Sequence, residues 1–209
     1  MEKNVSKRGR PRDPDRLKRV VEAAAEQFIQ QGFARASVDA IAKASGISKV
    51  TIYSYFPTKE ALFEAAVGSC TEVVLGSLPP EALNPGDPES ALSMIGESFL
   101  RLMRSDNAVG AFRMMFAAAG EHADACKAFF REGPATLIGQ VADYLRAANA
   151  AGSLSIPNPE EAADQFLSLF LGGAHIRVML GLGKPAISED ARLVCHNVAL
   201  FLRAFRRPA

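Results

Sequence analysis

The chain has 209 residues, of which 48% are hydrophobic and 22% are charged, a composition typical of a globular protein with a sizeable core. No apolar run approaches the roughly 18 residues that a membrane-spanning helix needs, and no apolar segment follows the basic N-terminus, so neither a membrane span nor a secretory signal is expected. Three scattered cysteines (Cys70, Cys126 and Cys195) lack CxxC spacing, which favours a reducing cytoplasm over a disulfide framework or a zinc site.

Charge is distributed unevenly along the chain. Residues 1–60 carry 12 Lys and Arg against 7 Asp and Glu, a net charge of +5, whereas residues 61–209 carry 12 against 16, a net charge of −4. A polyanion such as DNA would therefore be attracted to the N-terminal part.

The N-terminal part predicts four helices, because each begins at a capping residue or ends at glycine or proline. They are expected over about 13–32, 37–45, 48–55 and 58–78. Period-two runs of β-branched residues are missing, so the predicted fold class is all-α.

A stretch rich in Pro, Gly and Asn, from Leu83 to Pro88, is expected to connect the two halves. A helix restarts at Asp87, and others are expected over about 108–119, 122–150, 159–182 and 187–206. Gly133-Pro134 predicts a kink or break in the second of these. The whole chain is thus expected to form about nine helices, divided into a basic arm (1–12), a first domain (13–65) and a second domain (66–209).

Residues 37–56 predict two short helices that meet at Ser45-Gly46, a helix-turn-helix. The apolar residues of this segment are spaced to pack in a core with the first helix, and they are Val38, Ile41, Ala42, Ile47 and Ile52. The residues left facing outward on the second helix are Lys49, Val50, Thr51, Tyr53 and Tyr55. A cation, a hydroxyl and two phenols suit the bases and phosphates of a DNA major groove.

Several polar residues stand where a phosphate could bind. Ser37, Ser48 and Thr58 lie at helix N-termini, where free backbone N–H groups and the helix dipole favour an anion, and Lys59 adds a positive charge. The alternative is an ordinary αα-hairpin, since this geometry is common in proteins that never touch DNA.

The stretch SVDAIAKASGISKVTIYSYFPTKEALF (residues 37–63) resembles the N-terminal domain of the TetR/AcrR family of bacterial transcriptional regulators, and the match continues upstream through AAAEQFIQQGF. The resemblance implies that Lys49 and Val50 face bases, and that Ser37, Thr51, Tyr53 and Lys59 contact phosphates. Residues 66–209 are similar to the family only in size and helix pattern, and look loosely like its AefR-type subgroup.

The N-terminal arm carries Arg8, Arg10 and Arg12 in the sequence KRGRPR. Arg-Gly-Arg-Pro is the core of the AT-hook, whose arginines enter the narrow minor groove of A·T-rich DNA. The alternative is a solvated basic tail.

The second domain carries Met and Phe residues that could line an apolar pocket. They are Phe99, Met103, Phe112, Met115, Phe116 and Phe170, with Arg113 and His175 as candidate polar groups for the same ligand. Such stripes can equally form core, and His175 can equally make a hydrogen bond at a dimer interface. The histidines lie far apart without nearby carboxylates, so no catalytic site, metal site or cofactor is expected.

Together these features predict a homodimer, joined through its last two helices, that binds a palindromic operator in double-stranded DNA. The interface is expected to use the stripe on the last helix that contains Val198 and Leu202. By resemblance, the protein is expected to be a repressor that a small apolar effector releases. Other interpretations remain open: an adaptor protein, a small helical enzyme or lipid carrier, an activator, or a thiol sensor acting through Cys126.

Overall fold

The computed structural model describes residues 14–76 and 78–206. The helices of the first half are α1 (Pro14–Arg35), α2 (Val38–Ser45), α3 (Lys49–Tyr55) and α4 (Lys59–Gly76). A short 3₁₀ turn (Pro80–Leu83) precedes those of the second half, which are α5 (Pro88–Arg104), α6 (Asp106–Ala118), α7 (Ala123–Phe130), α8 (Thr136–Ala150), α9 (Pro159–Ser168), α10 (Gly173–Met179) and α11 (Ile187–Phe205). Among the described residues, β-pairing is limited to one isolated antiparallel bridge between Leu154 and Arg206. The all-α prediction is therefore confirmed.

Side-chain caps fix where several of these helices begin. Ser37 accepts a hydrogen bond from the backbone N–H of Ala40, and Ser48 accepts one from Thr51, both at 3.2 Å. Asp87 caps α5 and Asn158 caps α9 in the same manner, each followed by a proline at the first helical position. The helix starts predicted at these residues are confirmed.

Glycines with positive φ shape the first domain. Gly46 follows α2 with φ 69° and ψ 20°, the left-handed conformation that turns the chain sharply into α3. Gly32 has φ 77° and interrupts α1, although the helix resumes for one turn and ends at Arg35 rather than at the predicted Gly32.

Two helices expected to be long are interrupted. The predicted break at Gly133-Pro134 is confirmed, because α7 passes into α8 through a π-helical turn over Arg131–Ala135. The helix expected over 159–182 is broken at 169–172, where Gly172 is extended and Gly173 follows it, since adjacent glycines favour helix poorly. With each interrupted helix counted once, the described residues form nine helices, as expected.

The chain has two hydrophobic cores. One is built around Phe28, Ile41, Ile52 and Phe63 of α1 to α4, and it also takes in Met115 from α6. The other lies among α5, α8, α9 and α11. Because α6 and α7 pack into the first core as well, the two halves are joined by apolar contact and not only by chain connection.

The apolar stripe on α11 faces this second core. Val194, Val198 and Leu202 are buried within the single chain. The expectation that Val198 and Leu202 form the dimer interface is therefore wrong: α5 already covers this face, and a different face of α11 is exposed.

Candidate functional site

Helix α3 presents an exposed face held by one anchoring residue. Ile52 is buried in the first core, while the side chains of Val50 and Tyr53 are 82% and 41% exposed. An apolar side chain with so much exposure in the first turn of a short helix is available for contact with a partner. Tyr55 is half-buried at the end of α3, beside the ring of Phe56.

Lys49, at the first position of α3, is paired with a carboxylate. Its ammonium donates to Oδ2 of Asp39 on α2 at 2.9 Å, which raises the pKa of Lys49 above its ordinary value. This exposed pair holds the start of α3 beside the start of α2. Lys49 remains charged and reaches solvent, so it can exchange Asp39 for a base or a phosphate.

The hydroxyls at the three helix N-termini are used as caps. Thr58 accepts a hydrogen bond from the backbone N–H of Ala61 at 3.1 Å, as Ser37 and Ser48 do in their helices. The Ser48 and Thr51 hydroxyls also lie 2.8 Å apart. The hydroxyls of Ser37, Ser48, Thr51 and Thr58 therefore all lie at the N-terminal ends of α2, α3 and α4.

Lys59, which the sequence predicts to bind a phosphate, makes its contacts within the domain. Its ammonium donates to the carbonyl oxygens of Phe33 (2.8 Å), Ala34 (3.2 Å) and Ala36 (3.4 Å), and lies 4.7 Å from the centre of the Phe33 ring. Three acceptors occupy its three N–H groups. Lys59 therefore joins the C-terminal end of α1 to the start of α4. Arg8, Arg10 and Arg12 of the arm lie outside the described residues.

A cavity of about 170 Å³ lies between the two halves of the molecule. Its wall is almost wholly apolar, and it includes three of the predicted residues: Phe99, Met103 and Phe112. The remaining wall comes from residues that the sequence analysis did not single out, and these are Ala25, Phe28, Ile29, Phe63, Ala66, Val67, Leu102, Asn107, Ala108, Ala111, Met114, Phe129, Gly133, Pro134, Leu137, Ile138, Asp164, Leu167, Ser168 and Leu171.

Five predicted pocket residues lie elsewhere. Met115 is buried in the first core, Phe116 is 69% exposed, and Phe170 is buried against Phe99 and Phe166. Arg113 donates to the carbonyls of Met179 (2.8 Å) and Val178 (2.9 Å), which satisfies the C-terminal end of α10. Each of these side chains is thus excluded from the cavity wall by a different structural role or by facing solvent.

His175 also lies outside the cavity wall, separated from it by Phe112, whose ring centre is 6.4 Å from the imidazole centre. Burial lowers its pKa, and the nearby Arg104 lowers it further. Nδ1 of His175 is buried without a hydrogen-bond partner among the described residues. The neutral imidazole therefore packs behind Phe112 and does not reach the cavity.

The missed wall residues come mainly from α1, α4, α6 and α9. Asp164, Leu167, Ser168 and Leu171 have the i, i+3, i+4, i+7 spacing of one helix face, a signal that the sequence does contain. The contribution of α1 and α4 depends on how the two halves pack, which no local pattern reveals.

The described residues hold neither a metal-binding cluster nor a membrane-spanning helix. Within residues 14–76 and 78–206, no group of three or more His, Cys, Asp or Glu could hold a metal ion. In the same part of the chain no helix has the length and apolar character needed to cross a membrane.

Comparison with known proteins identifies the family. Residues 20–66 match the model for bacterial regulatory proteins of the tetR family, and residues 90–207 match the C-terminal domain of AefR-like transcriptional repressors. The chain is 26% identical over 190 residues to the HTH-type transcriptional regulator YvkB of Bacillus subtilis (strain 168). This match covers 89% of this chain and 95% of YvkB.

Solved structures agree with this assignment. The flavonoid-responsive regulator FrrA superimposes with a TM-score of 0.74 and 33% identity, covering 94% of this chain and all of that one. A TetR transcriptional regulator from Agrobacterium tumefaciens shares the fold, with a TM-score of 0.73 at 18% identity, over 93% of this chain and 95% of that one. The chain belongs to the TetR family of bacterial transcriptional regulators, with a C-terminal domain of the AefR-like type.

Proposed function

We propose that this regulator is a repressor that binds a palindromic operator as a homodimer and is released when a small aromatic effector enters the cavity between its two halves. TetR-family regulators bind operator DNA and are typically dimers. The observation that supports release most strongly is that the cavity wall includes α1 and α4 of the DNA-binding half.

The proposed DNA contact centres on α3. Val50 and Tyr53 are the exposed side chains of its outward face, with Lys49 at its start, and all three can reach base edges or phosphates in a major groove. Ser37, Ser48, Thr51 and Thr58 cap or flank helix N-termini, so their hydroxyls and nearby N–H groups suit phosphates. Tyr55 is proposed at the edge of this contact. Lys59 is proposed to support the domain instead of touching DNA.

The proposed dimer interface is formed by α10, α11 and the connection between them. Large apolar side chains are exposed along this stretch, and they are Ile176, Leu180, Leu182 and Ile187, with Leu200 on the outward side of α11. Clustered exposed apolar residues mark an association surface, and a second copy of the chain can cover it through two-fold symmetry. The two α3 helices would then lie about 34–36 Å apart, in successive major grooves.

The effector is proposed to be aromatic because of the size and lining of the cavity. A cavity of about 170 Å³ resembles in size the engineered apolar cavities of about 150 Å³ that accept a benzene ring. Phe28, Phe63, Phe99 and Phe112 supply ring faces and edges. The relative FrrA is described as flavonoid-responsive, and flavonoids are aromatic molecules, which supports the same class here.

The proposed coupling passes through direct contact between the cavity and the DNA-binding half. Ile29 of α1 and Phe63 of α4 belong to helices that carry α2 and α3 in the first core. Ile29 also packs against Gly110 of α6, where an added Cβ would lie only 2.5 Å from its Cγ2. An occupant that pushes on Ile29 or Phe63 therefore moves α1 and α4, and with them the spacing of the two α3 helices.

Operator release tests this proposal. Binding of a labelled duplex from upstream of the protein's own gene is followed by fluorescence anisotropy while 2-phenylethanol, a one-ring aromatic compound, is added. We expect release by wild type and no release by Ala111→Leu, which fills the cavity while retaining DNA binding. Ala147→Leu, the same change on the exposed side of α8, is the control and should behave as wild type. Equal release from both variants would place the effector elsewhere.

A further inference from the structure

The mouth of the cavity has a rim of polar side chains. Three wall residues carry polar side chains, Asn107 on α6 and Asp164 and Ser168 on α9, and all three are exposed to solvent. The large aromatic residues of the wall, Phe28 and Phe63 among them, are buried. Polar groups are therefore confined to the mouth, and the interior is apolar.

Neighbouring side chains leave this rim free for a ligand. Within the described residues, the side chains of Asn107, Asp164 and Ser168 have no hydrogen-bond or ion-pair partner. Asp164 and Ser168 are one helical turn apart on α9, together with Leu167 and Leu171 on the same wall. A single ligand end can therefore meet both side chains.

The rim carries negative charge and lacks a cation. Among the residues that the structure describes, Asp164 is the one charged residue in the cavity wall. Three basic residues are engaged elsewhere: Arg104 of α5 pairs with Asp190 at 3.1 Å, Lys184 pairs with Asp106 at 2.8 Å, and Arg113 of α6 donates to backbone carbonyls. A carboxylate placed at the mouth would meet a like charge and would find no cation in the wall to replace its lost hydration.

We infer that the effector is an aromatic molecule whose end at the cavity mouth carries a hydrogen-bond donor, a hydroxyl or an ammonium, and that Asp164 rejects aromatic carboxylates. This inference rests on the proposed effector site and adds its charge selectivity. Attraction to a donor and repulsion of an anion both come from Asp164, so one residue determines the preference.

The test uses three probes that share one ring and differ at the end of a short side chain: 2-phenylethanol, 2-phenylethylammonium and phenylacetate. Their dissociation constants are measured by calorimetry on the full-length protein without DNA. Asp164 is exposed, so its attraction for the cation and its repulsion of the anion are modest, and together they predict that phenylethylammonium binds about tenfold more tightly than phenylacetate. Ala111→Leu should abolish binding of all three probes, which places them in the cavity.

Asp164→Asn, a change of nearly equal size at an exposed position, should reduce the difference between the two charged probes to about threefold or less. Asp124→Asn, at an exposed carboxylate on α7, is the matched control and should keep the wild-type preference. Equal or tighter binding of phenylacetate by wild type, an undiminished preference in Asp164→Asn, or no binding of any probe would each overturn the inference. Operator binding, measured separately without probes, shows whether the proposed function itself holds.

Discussion

Replacing Lys59 tests whether this residue holds the domain together or touches DNA. Lys59→Met removes an ammonium that donates to the carbonyls of Phe33, Ala34 and Ala36 and lies over the Phe33 ring. A hydrogen bond to a charged group contributes about 1.5–3 kcal/mol, and a cation at a helix C-terminus about 0.3–1 kcal/mol. Partial exposure and the regained side-chain entropy of about 2 kcal/mol offset part of this sum. We expect a net loss of about 2 kcal/mol in the free energy of unfolding, roughly a 30-fold change in the folded-to-unfolded ratio.

The assay is urea unfolding followed by circular dichroism, at a fixed protomer concentration because dimerisation contributes to stability. Lys59→Arg keeps the charge, but its planar guanidinium cannot converge on three carbonyls as the ammonium does, so about half of the loss is expected. The opposite outcome is unchanged stability with a salt dependence of DNA binding that is lower by about one unit of slope. It would show that Lys59 contacts a phosphate and does not hold α1 to α4.

Three further predictions concern the charge pair, the dimer surface and the recognition helix. Asp39→Asn removes the carboxylate that holds Lys49, so operator binding measured by anisotropy should become severalfold tighter. Weaker binding would mean that Asp39 positions Lys49 for DNA. Leu180→Glu, at a side chain that is 68% exposed, should give folded monomers in sedimentation, whereas Val198→Glu should unfold the chain because that side chain is buried. A dimeric Leu180→Glu protein would place the interface elsewhere. Val50→Glu should abolish operator binding with an unchanged circular dichroism spectrum, and retained binding would exclude α3 from the groove.

Local chemistry made much of the fold predictable. Ser37, Asp87 and Asn158 cap helices because a short polar side chain at that place satisfies a free N–H, a relation confined to a few residues along the chain. Gly46 and the Gly133-Pro134 break are local in the same sense. Such signals need no knowledge of what packs against the helix.

What a helix face contacts could not be predicted in this manner. The stripe with Val198 and Leu202 is apolar, as an interface would be, but apolarity alone does not tell whether the same chain or a second copy covers it. Likewise, Lys59 stands where a phosphate contact is plausible, yet the end of α1 comes within its reach only in the folded domain.

The cavity shows the same limit on a larger scale. Phe99, Met103 and Phe112 were predictable as adaptable apolar residues, but Phe170 and Met115 have the same character and lie in the two cores. Whether such a residue lines a space or fills one depends on the packing of α1 against α6 and of α4 against α5 and α7, which is a long-range property.

Selection of duplexes from a random DNA library by the full-length protein tests whether the chain recognises an operator sequence. Two-fold related α3 helices predict enrichment of an inverted repeat whose half-sites are about 10 base pairs apart, bound at least about 10³-fold more tightly than a scrambled duplex. Val50→Glu should enrich no motif. If the wild-type protein enriches no inverted repeat and binds selected and scrambled duplexes with equal affinity, the chain does not bind an operator sequence specifically.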